Sequence, residues 1–403
     1  MKKLPELRFD GYDGEWEEKK LGDSFTVTMG QSPNSENYTV DSDFLPLIGG
    51  NTDIKQGKIN PSIFTTQETK KSYPGNIIMT VRAPVGDLAM NSSEVVIGRG
   101  VCSIDGNNYL YYNLEKKKYE NYWRRFISGS TFESINSSDI KSVLISTPKN
   151  SEQEKIGDLF KKIDDLIEIQ EGKVTKVRYY KKSMLQKIFP KKDELVPEFR
   201  FDGFNGNWEK LTLGDIGEVQ SSGVNKIIYN NQKLVRLLNY MDVYNKKSPT
   251  NSNIDTFMET SASDKEMSSK DVTKGDIFFT PTSETAEDIG HSMVVEDYIK
   301  GMVYSYHIFR FRPNSDVLDI NFSDYFCNID PVRKQLKIKA QGAQRYTLKL
   351  NDFRELIIKN PPLAEQQKIG QFFKNLDTQI ENEEKLLESY KMMKKSLLQK
   401  MFV

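Results

Sequence analysis

The chain of 403 residues holds few of the side chains that build disulfides and metal centres, with two cysteines and two histidines. Cys102 and Cys327 lie far apart, so no disulfide framework is indicated, and we expect a reducing compartment and a core position for both thiols. Neither His291 nor His307 belongs to a carboxylate or cysteine cluster at ligand spacing. We therefore predict no metal site and a structural role for each histidine.

Long apolar runs and an excess of charge of one sign are also missing. No run approaches the roughly 18 apolar residues of a membrane span, and no apolar segment follows the lysines of the opening "MKKLPELRFDG", so we predict a cytoplasmic protein without a membrane partner. Lys plus Arg and Asp plus Glu balance at 57 each, which excludes a general polycation but allows local basic patches. The phosphate-binding motifs GxxxxGKS and GxxxxGKT are absent, so any motor activity would belong to a partner.

What the chain does contain is a repeat. "LRFDGYDGEWEEKKLGD" from Leu7 returns as "FRFDGFNGNWEKLTLGD" from Phe199. Likewise "EQEKIGDLFKKIDDLIEIQEGKVTKVRYYKKSMLQKIF" from Glu152 returns as "EQQKIGQFFKNLDTQIENEEKLLESYKMMKKSLLQKMF" from Glu365. Each half is therefore a short signature, a variable region and a long helical segment, which predicts an internal pseudo-twofold repeat.

Apolar residues in both helical segments recur at alternating steps of four and three, the spacing of a coiled-coil seam. They include Ile156, Phe160 and Ile163 in the first segment and Ile369 and Phe373 in the second. At 1.5 Å per residue such a segment would run about 57 Å, longer than a small domain is wide. We therefore expect the helices to form an antiparallel pair, although packing of each helix on its own domain is the alternative.

Proline-containing segments at the ends of the helical segments predict the domain boundaries. Apolar runs such as "NIIMTV" and "GDIFF" predict strands within the variable regions. The fold class is thus α/β (α+β), with two mixed α/β domains separated by two long antiparallel coiled-coil helices. The predicted division is residues 1–150 for the first domain, 151–192 for the first long helix, 193–362 for the second domain and 363–403 for the second long helix.

The motifs together resemble those of the DNA-specificity subunit of type I restriction-modification systems. They are the twofold "RFDG...W...LGD", "EQxKIG" and "SxLQKxF" at the ends of each long helix, "VRAPVG" and "GRGVCSI" in the first variable region, and "KGDIFFT" in the second. The resemblance covers the chain from end to end. It implies a non-catalytic subunit whose two target-recognition domains each read one half of a split, asymmetric site in double-stranded DNA.

The same resemblance implies the partners and places the cofactors outside this chain. Two modification subunits would use S-adenosylmethionine to methylate adenine at N6. Restriction subunits would use ATP and Mg²⁺ to cleave DNA. The helical pair would set the gap between the half-sites and dock the modification subunits, and the chain itself would hold no cofactor and no catalytic residue.

Two stretches of the first variable region hold candidate DNA contacts, because forked donors on loops read bases while lysines and hydroxyls hold phosphates. Arg82 leaves a strand into the loop "RAPVG", where the alternative role is a structural ion pair with Asp87. The stretch "TKKSYPG" supplies Lys70, Lys71 and Tyr73 as candidate phosphate ligands, with a solvated charge run as the alternative.

A third stretch, "YLYYNLEKKKYENYWRRF", interleaves aromatic and basic residues, a pattern that can stack on nucleic acid. We favour core packing of Tyr122, Trp123 and Phe126 on a helix face. Arg125 would still reach a phosphate and is retained as a candidate contact.

The second variable region offers two further loops, "TPTSETAEDIG" and "QGAQRYTL". Glutamine can read adenine and arginine can read guanine. The candidate residues of these loops are Thr282, Ser283, Glu284, Gln341, Gln344, Arg345 and Tyr346. Trp16 and Trp208, with Arg8 and Arg200 near them, repeat in both halves and are predicted to be structural anchors, since residues that read different half-sites should differ.

Two other functions stay open, a DNA-independent coiled-coil scaffold and a stand-alone DNA methyltransferase. The stretch "NPPL" from Asn360 resembles the Asn-Pro-Pro-aromatic turn of amino-methyltransferases, but Leu363 stands in the aromatic position. No glycine-rich turn for a methyl donor lies upstream. We therefore favour a turn that starts a helix.

Overall fold

The computed structural model of the chain describes residues 4–55, 57–126, 134–221, 223–342 and 344–403. The chain forms two compact units, Met1–Gly172 with Glu384–Val403, and Lys173–Glu383. Each unit thus combines one variable region with parts of both long helical segments. The division into four segments made from the sequence stays a prediction.

Short strands and helices make up the first unit. Its strands are β1 (Glu17–Lys20), β2 (Val27–Met29), β3 (Tyr38–Thr39), β4 (Leu45–Ile48), β5 (Ile54–Lys55), β6 (Lys58–Ile59), β7 (Phe64–Thr65), β8 (Lys71–Ser72), β9 (Ile77–Thr80), β10 (Leu88–Met90), β11 (Val95–Ile97), β12 (Val101–Ile104) and β13 (Leu144–Thr147). Its helices are α1 (Leu21–Ser24), α2 (Asn108–Tyr119), α3 (Ser137–Lys141) and the first part of α4 (Asn150–Ile188). Short 3₁₀ turns cover Ser35–Asn37, Asn51–Asp53 and Tyr122–Phe126.

Two sheets form the body of this unit. One has the order β10-β9-β12-β2 and is antiparallel throughout. The other has the order β3-β7-β4-β11-β8, in which β4 and β11 run parallel. Every residue of β9, β11 and β12 is buried, as expected for apolar, β-branched central strands covered on both faces. β1 pairs with β13, and β5 pairs with β6.

The second unit is built from similar pieces. Its strands are β14 (Glu209–Thr212), β15 (Gly217–Gln220), β16 (Lys233–Leu238), β17 (Met258–Ala262), β18 (Ile277–Phe279), β19 (Thr282–Ser283), β20 (Ser292–Val294), β21 (Met302–Tyr304), β22 (Phe309–Pro313), β23 (Tyr346–Thr347) and β24 (Ile357–Asn360). Its short helices are α5 (Leu213–Ile216), α6 (Tyr240–Tyr244), α7 (Asp264–Ser269), α8 (Ile320–Phe326), α9 (Asp330–Lys339) and α10 (Leu350–Arg354), with a 3₁₀ turn at Ile254–Thr256. The second long helix is α11 (Leu363–Met401).

The sheets of the second unit repeat the topology of the first. The order β20-β18-β22-β15 matches β10-β9-β12-β2, and β17-β16-β21 matches β7-β4-β11, again with one parallel pair, β16 with β21. The pair β14·β24 matches β1·β13. The duplication seen in the signatures therefore extends through the variable regions, where the sequences have diverged.

The long helices α4 and α11 confirm the predicted coiled-coil pair. In the first unit Lys394 of α11 lies 2.7 Å from Asp164 of α4. In the second unit the rings of Phe189 and Phe373 have centroids 6.2 Å apart. In the first unit Lys391 also lies 2.9 Å from Glu171, so the later residue of α4 meets the earlier residue of α11, which is an antiparallel arrangement. The seam residues Ile156, Phe160 and Ile163 are buried, and so are Ile369, Phe373 and Leu376.

One position on the apolar stripe of α11 is a lysine that the sequence pattern did not single out. Lys394 is buried, and its Nζ lies 2.8 Å from Glu115 and 2.7 Å from Asp164. Two carboxylates compensate the charge of the ammonium group, which is the condition under which a lysine can be buried.

Each repeated signature is fixed to the start of a long helix by an ion pair. Arg8 donates from Nε (2.7 Å) and Nη2 (2.8 Å) to the two carboxylate oxygens of Glu152 at the start of α4. Arg200 donates in the same way to Glu365 at the start of α11, at 2.9 and 2.7 Å. Trp16 and Trp208 are buried. The prediction that these residues are structural anchors is therefore confirmed.

The "NPPL" stretch forms a turn that starts α11. Leu363 is the first residue of the helix, and the backbone N–H of Glu365 donates to the carbonyl of Pro362 at 2.9 Å. The side chain of Gln366 donates to the carbonyl of Pro361 at 2.9 Å. This geometry is the helix-starting turn that the sequence favoured.

The end of one long helix closes each unit. In the first unit the ring of Phe402, 2% exposed, packs on Tyr109 and Phe160 with centroid distances of 5.1 and 5.5 Å. In the second unit Phe189, just after α4, packs on Trp208 in the corresponding place at 6.0 Å. The first unit is thus completed by the last residues of the chain.

Both cysteines are buried and free, as predicted. In the described part of the chain, no helix combines the length and the apolar character needed to cross a membrane.

Candidate nucleic-acid interface

The parallel strands β4 and β11 end side by side in the first unit. Because the carboxyl ends of parallel strands meet at one edge of a sheet, the segments 49–51 and 98–100 that follow them lie together. A hydrogen bond from the N–H of Gly98 to the carbonyl of Ile48, at 2.8 Å, joins the two segments. Arg82 follows the central strand β9 of the neighbouring sheet and reaches the same place.

These segments enclose a cleft with a volume of about 510 Å³. Its lining consists of Ser32, Gly49, Gly50, Asn51, Arg82, Ala83, Arg99 and Gly100. A Cβ atom at Gly100 would lie 2.1 Å from the carbonyl oxygen of Gly49, so the close approach of the two backbones requires glycine here. The glycines therefore expose backbone to the cleft, and the two arginines supply its charged side chains.

Both arginines of the cleft are exposed. Within the described residues, neither Arg82 nor Arg99 forms an ion pair. The alternative pairing of Arg82 with Asp87 is wrong, because Asp87 instead lies 2.6 Å from the ammonium group of Lys118. Unpaired guanidinium groups above a polar cleft make a positively charged site that suits an anionic ligand with hydrogen-bond acceptors.

The second unit builds the same arrangement at the ends of β16 and β21. The N–H of Ser305 donates to the carbonyl of Leu238 at 2.9 Å, as Gly98 does to Ile48. Strand β16 continues into Asn239 and β21 continues into segment 305–307. The backbone at the ends of the two parallel strand pairs is therefore arranged in the same way.

The equivalent positions carry different side chains. Arg82 forms an isolated bridge with Ser134, and Thr282 pairs with Thr347 in the same way, so Arg82 corresponds to Thr282. Arg99, which follows Gly98, corresponds to Tyr306, which follows Ser305. Side chains on a shared frame thus differ in size, charge and hydrogen-bonding capacity.

The pairing of β19 with β23 places the candidate segment 282–284 of the second unit beside Tyr346 of the other candidate loop. Gln341, Gln344, Arg345 and Glu284 are exposed, whereas Tyr346 is half-buried. Ser283 is buried, and its hydroxyl donates to the carbonyl of Thr285 at 2.6 Å. The exposed side chains of these loops are therefore the ones available to a ligand.

Positive charge surrounds His307 in this second site. Burial lowers the pKa of His307, and the charges of Lys226 and Arg345 lower it further. The imidazole is therefore neutral near pH 7, and it can donate and accept one hydrogen bond each. Tyr240, beside the same site, donates from its hydroxyl to the carbonyl of Thr282 at 2.6 Å.

The remaining candidates of the first unit lie in different settings. Lys70 and Tyr73 are exposed. Lys71 lies 2.5 Å from Glu68 and 2.8 Å from Glu94, and hydrogen bonds to both carboxylates raise its pKa.

Arg125 stacks on the ring of Tyr122, with its Cζ 3.5 Å from the ring centroid. Trp123 is buried, which supports the core-packing interpretation of this aromatic stretch.

Sequence reasoning did not propose Arg99, Tyr240 or Tyr306 for these sites, and it predicted a structural role for His307. The signal available for Arg99 was "GRG" between two apolar runs, which is a loop of small residues presenting one cation. Its place in a cleft depends on strand β4, about 50 residues upstream, and on the parallel pairing. In the described residues, no group of three or more His, Cys, Asp or Glu side chains could hold a metal ion.

Comparison with known proteins finds relatives by sequence and solved structures with the same fold. The type I restriction enzyme MjaX specificity subunit of Methanocaldococcus jannaschii is 32% identical over 177 residues, which are 42% of this chain and 42% of that relative. The MjaIX specificity subunit of the same organism is 25% identical over 414 residues, covering 96% of this chain and 92% of the relative.

Solved structures share the fold. The S subunit of a type I restriction-modification system from M. genitalium superposes with a TM-score of 0.61, at 16% identity, over 99% of both chains. The family described as the type I restriction modification DNA specificity domain matches residues 13–179 and again residues 205–391. The chain therefore belongs to the family of type I restriction-modification DNA specificity subunits, which recognise DNA and do not catalyse its modification.

Proposed function

We propose that this chain reads a split, asymmetric site in double-stranded DNA, with each unit reading one half. The observation that carries the proposal is that the parallel strand pairs of the two units end in the same backbone arrangement, with different side chains at equivalent positions. A shared frame favours a common way of docking on DNA. Different side chains, such as Arg99 and Tyr306, favour different base sequences in the two halves.

The proposal includes the partners that the family implies. Two modification subunits supply S-adenosylmethionine chemistry at adenine N6, and restriction subunits supply ATP- and Mg²⁺-dependent cleavage. The recognition domains are residues 1–150 and 193–362, and the docking and spacing helices are residues 151–192 and 363–403. Because its proposed substrate is intracellular DNA, the complex works in the cytoplasm.

Mapping of N6-methyladenine in a methylation-free host tests the function. We expect co-expression of this chain with its cognate modification subunit to methylate one split motif with unlike halves. The motif should disappear when this chain is omitted. A symmetric motif would contradict the asymmetric reading, and methylation by this chain alone would favour the stand-alone methyltransferase.

The scaffold alternative requires a separate measurement. Binding of the purified complex to duplexes with and without the mapped motif should differ by roughly 10³-fold or more at physiological salt. Non-specific attraction would weaken steeply with salt for both duplexes alike. Equal affinity for both would favour the scaffold.

We expect the length of the paired helices to set the gap between the half-sites. Four residues inserted between Thr175 and Tyr180 of α4, with four more after Glu384 of α11, lengthen each helix by about 6 Å. At about 3.4 Å per base pair, the methylated motif should gain one or two unread pairs, or activity should be lost. A variant with substitutions at the insertion sites, but with both helices kept at their original length, is the control. An active complex with an unchanged gap would remove the spacing role.

A further inference from the structure

We infer that the first unit reads a guanine in its half-site and that Arg99 is the residue that reads it. The inference rests on the proposed function and goes beyond it, because it names one specificity-determining side chain and the base that the side chain recognises.

The backbone presents Arg99 from a fixed position. Its N–H donates to the hydroxyl of Ser32 at 3.1 Å, and the preceding Gly98 is held by the carbonyl of Ile48. The following residue, Gly100, is pressed against Gly49. Two sheets therefore hold the loop, so little backbone entropy remains to be lost when the side chain binds a ligand.

Arg99 is exposed and, like Arg82, lacks a carboxylate partner among the described residues. In the second unit Arg312 donates to both carboxylate oxygens of Asp276 at 2.7 and 2.8 Å. Arg310 lies 3.1 Å from Asp271. The carboxylates compensate the charges of those two arginines, whereas the N–H donors of the Arg99 guanidinium remain available to a ligand in the cleft.

The chemistry of the free guanidinium selects among the bases. Two parallel N–H donors match the O6 and N7 acceptors that guanine presents in the major groove, and no other base presents two acceptors there on one edge. A phosphate would also accept from an arginine, but it carries no sequence information. The two cases therefore differ in what happens to the recognised motif when the side chain is changed.

The second unit supplies an internal comparison. Tyr306 occupies the position that corresponds to Arg99, and its phenol cannot form a bidentate pair of donors. Changes at Tyr306 should therefore affect only the second half-site, and changes at Arg99 only the first.

Methylome mapping of Arg99→Ala, Arg99→Lys and Tyr306→Ala with the modification subunit tests the inference. For Arg99→Ala we expect one guanine of the first half-site to become degenerate, with discrimination at that position falling roughly tenfold or more. The second half-site should stay unchanged. Arg99→Lys should retain part of the preference, because lysine keeps the charge without the fork. Arg354→Ala, an exposed arginine on α10, is the matched control and should leave both halves intact.

Two outcomes would overturn the inference. An unchanged motif in Arg99→Ala would remove the residue from base reading. A uniform fall in methylation at all sites, with the same motif and with normal co-purification of the modification subunit, would assign Arg99 to a phosphate. If the unchanged chain itself directs no split motif, the proposed function fails, and this result is distinguishable from either outcome.

Discussion

Replacing Arg8 with alanine is expected to lower the free energy of unfolding of the first unit by about 3 kcal/mol. The side chain of Glu152 is fully buried and that of Arg8 is 17% exposed, so the substitution leaves a buried carboxylate without its cation. Arg8 also donates to the carbonyls of Asp13 and Gly14, which fixes the signature loop. Denaturant titration of the purified chain measures the loss.

The surface pair of Lys58 and Glu168 provides the control. Both side chains are more than half exposed, so Lys58→Ala should cost less than about 1 kcal/mol. Adding Glu152→Gln to Arg8→Ala removes the uncompensated charge and should recover part of the stability. A loss for Arg8→Ala no larger than that for Lys58→Ala would show that the pair does not hold the signature in place.

Phe402→Ala should cost about 3–5 kcal/mol in the first unit. The ring is buried between Tyr109 and Phe160, and its removal leaves a cavity where the end of α11 closes the core. Hydrogen exchange measured by mass spectrometry should show faster exchange in β9 and β12. Exchange in β18 and β22 of the second unit should be unchanged.

Two further variants serve as controls for Phe402→Ala. Met392→Ala lies on the same helix, but its side chain is 65% exposed, so exchange should stay as in the unchanged chain. Phe189→Ala removes the corresponding ring of the second unit and should produce the reverse pattern. Equal destabilisation of both units by Phe402→Ala would contradict closure of the first unit by the C-terminal residues.

The repeated parts of the structure could be predicted from the sequence. The second copy of each motif supports the first, and the repeated helical segments, from Glu152 and Glu365, each start two residues after the first residue of the long helix observed. Trp16 and Arg8 were identifiable as anchors because they recur as Trp208 and Arg200. Lys394 was missed because a charge on an apolar stripe interrupts the pattern, and its compensation comes from Glu115, which is distant in sequence.

The cleft was harder to predict. Arg82 could be proposed because an apolar strand runs directly into its loop. Arg99 could not, since its position depends on the parallel pairing of β4 with β11 and on glycines that let two backbones touch. The equivalence of Arg99 with Tyr306 cannot be seen in the sequence, because the two variable regions have diverged. It is visible only in the backbone hydrogen bonds and in the strand order.

Closure of the first unit by Phe402 has a consequence for how the protein is made. The second unit is one unbroken stretch, Lys173–Glu383, and all of it is translated before the segment Glu384–Val403. The first unit includes Glu384–Val403, and the N–H of Leu7 donates to the carbonyl of Lys400 at 2.9 Å. Domains generally fold as they emerge, N-terminal first. Here that order cannot hold for the complete first unit, because its core closes only with residues that are translated after the whole second unit.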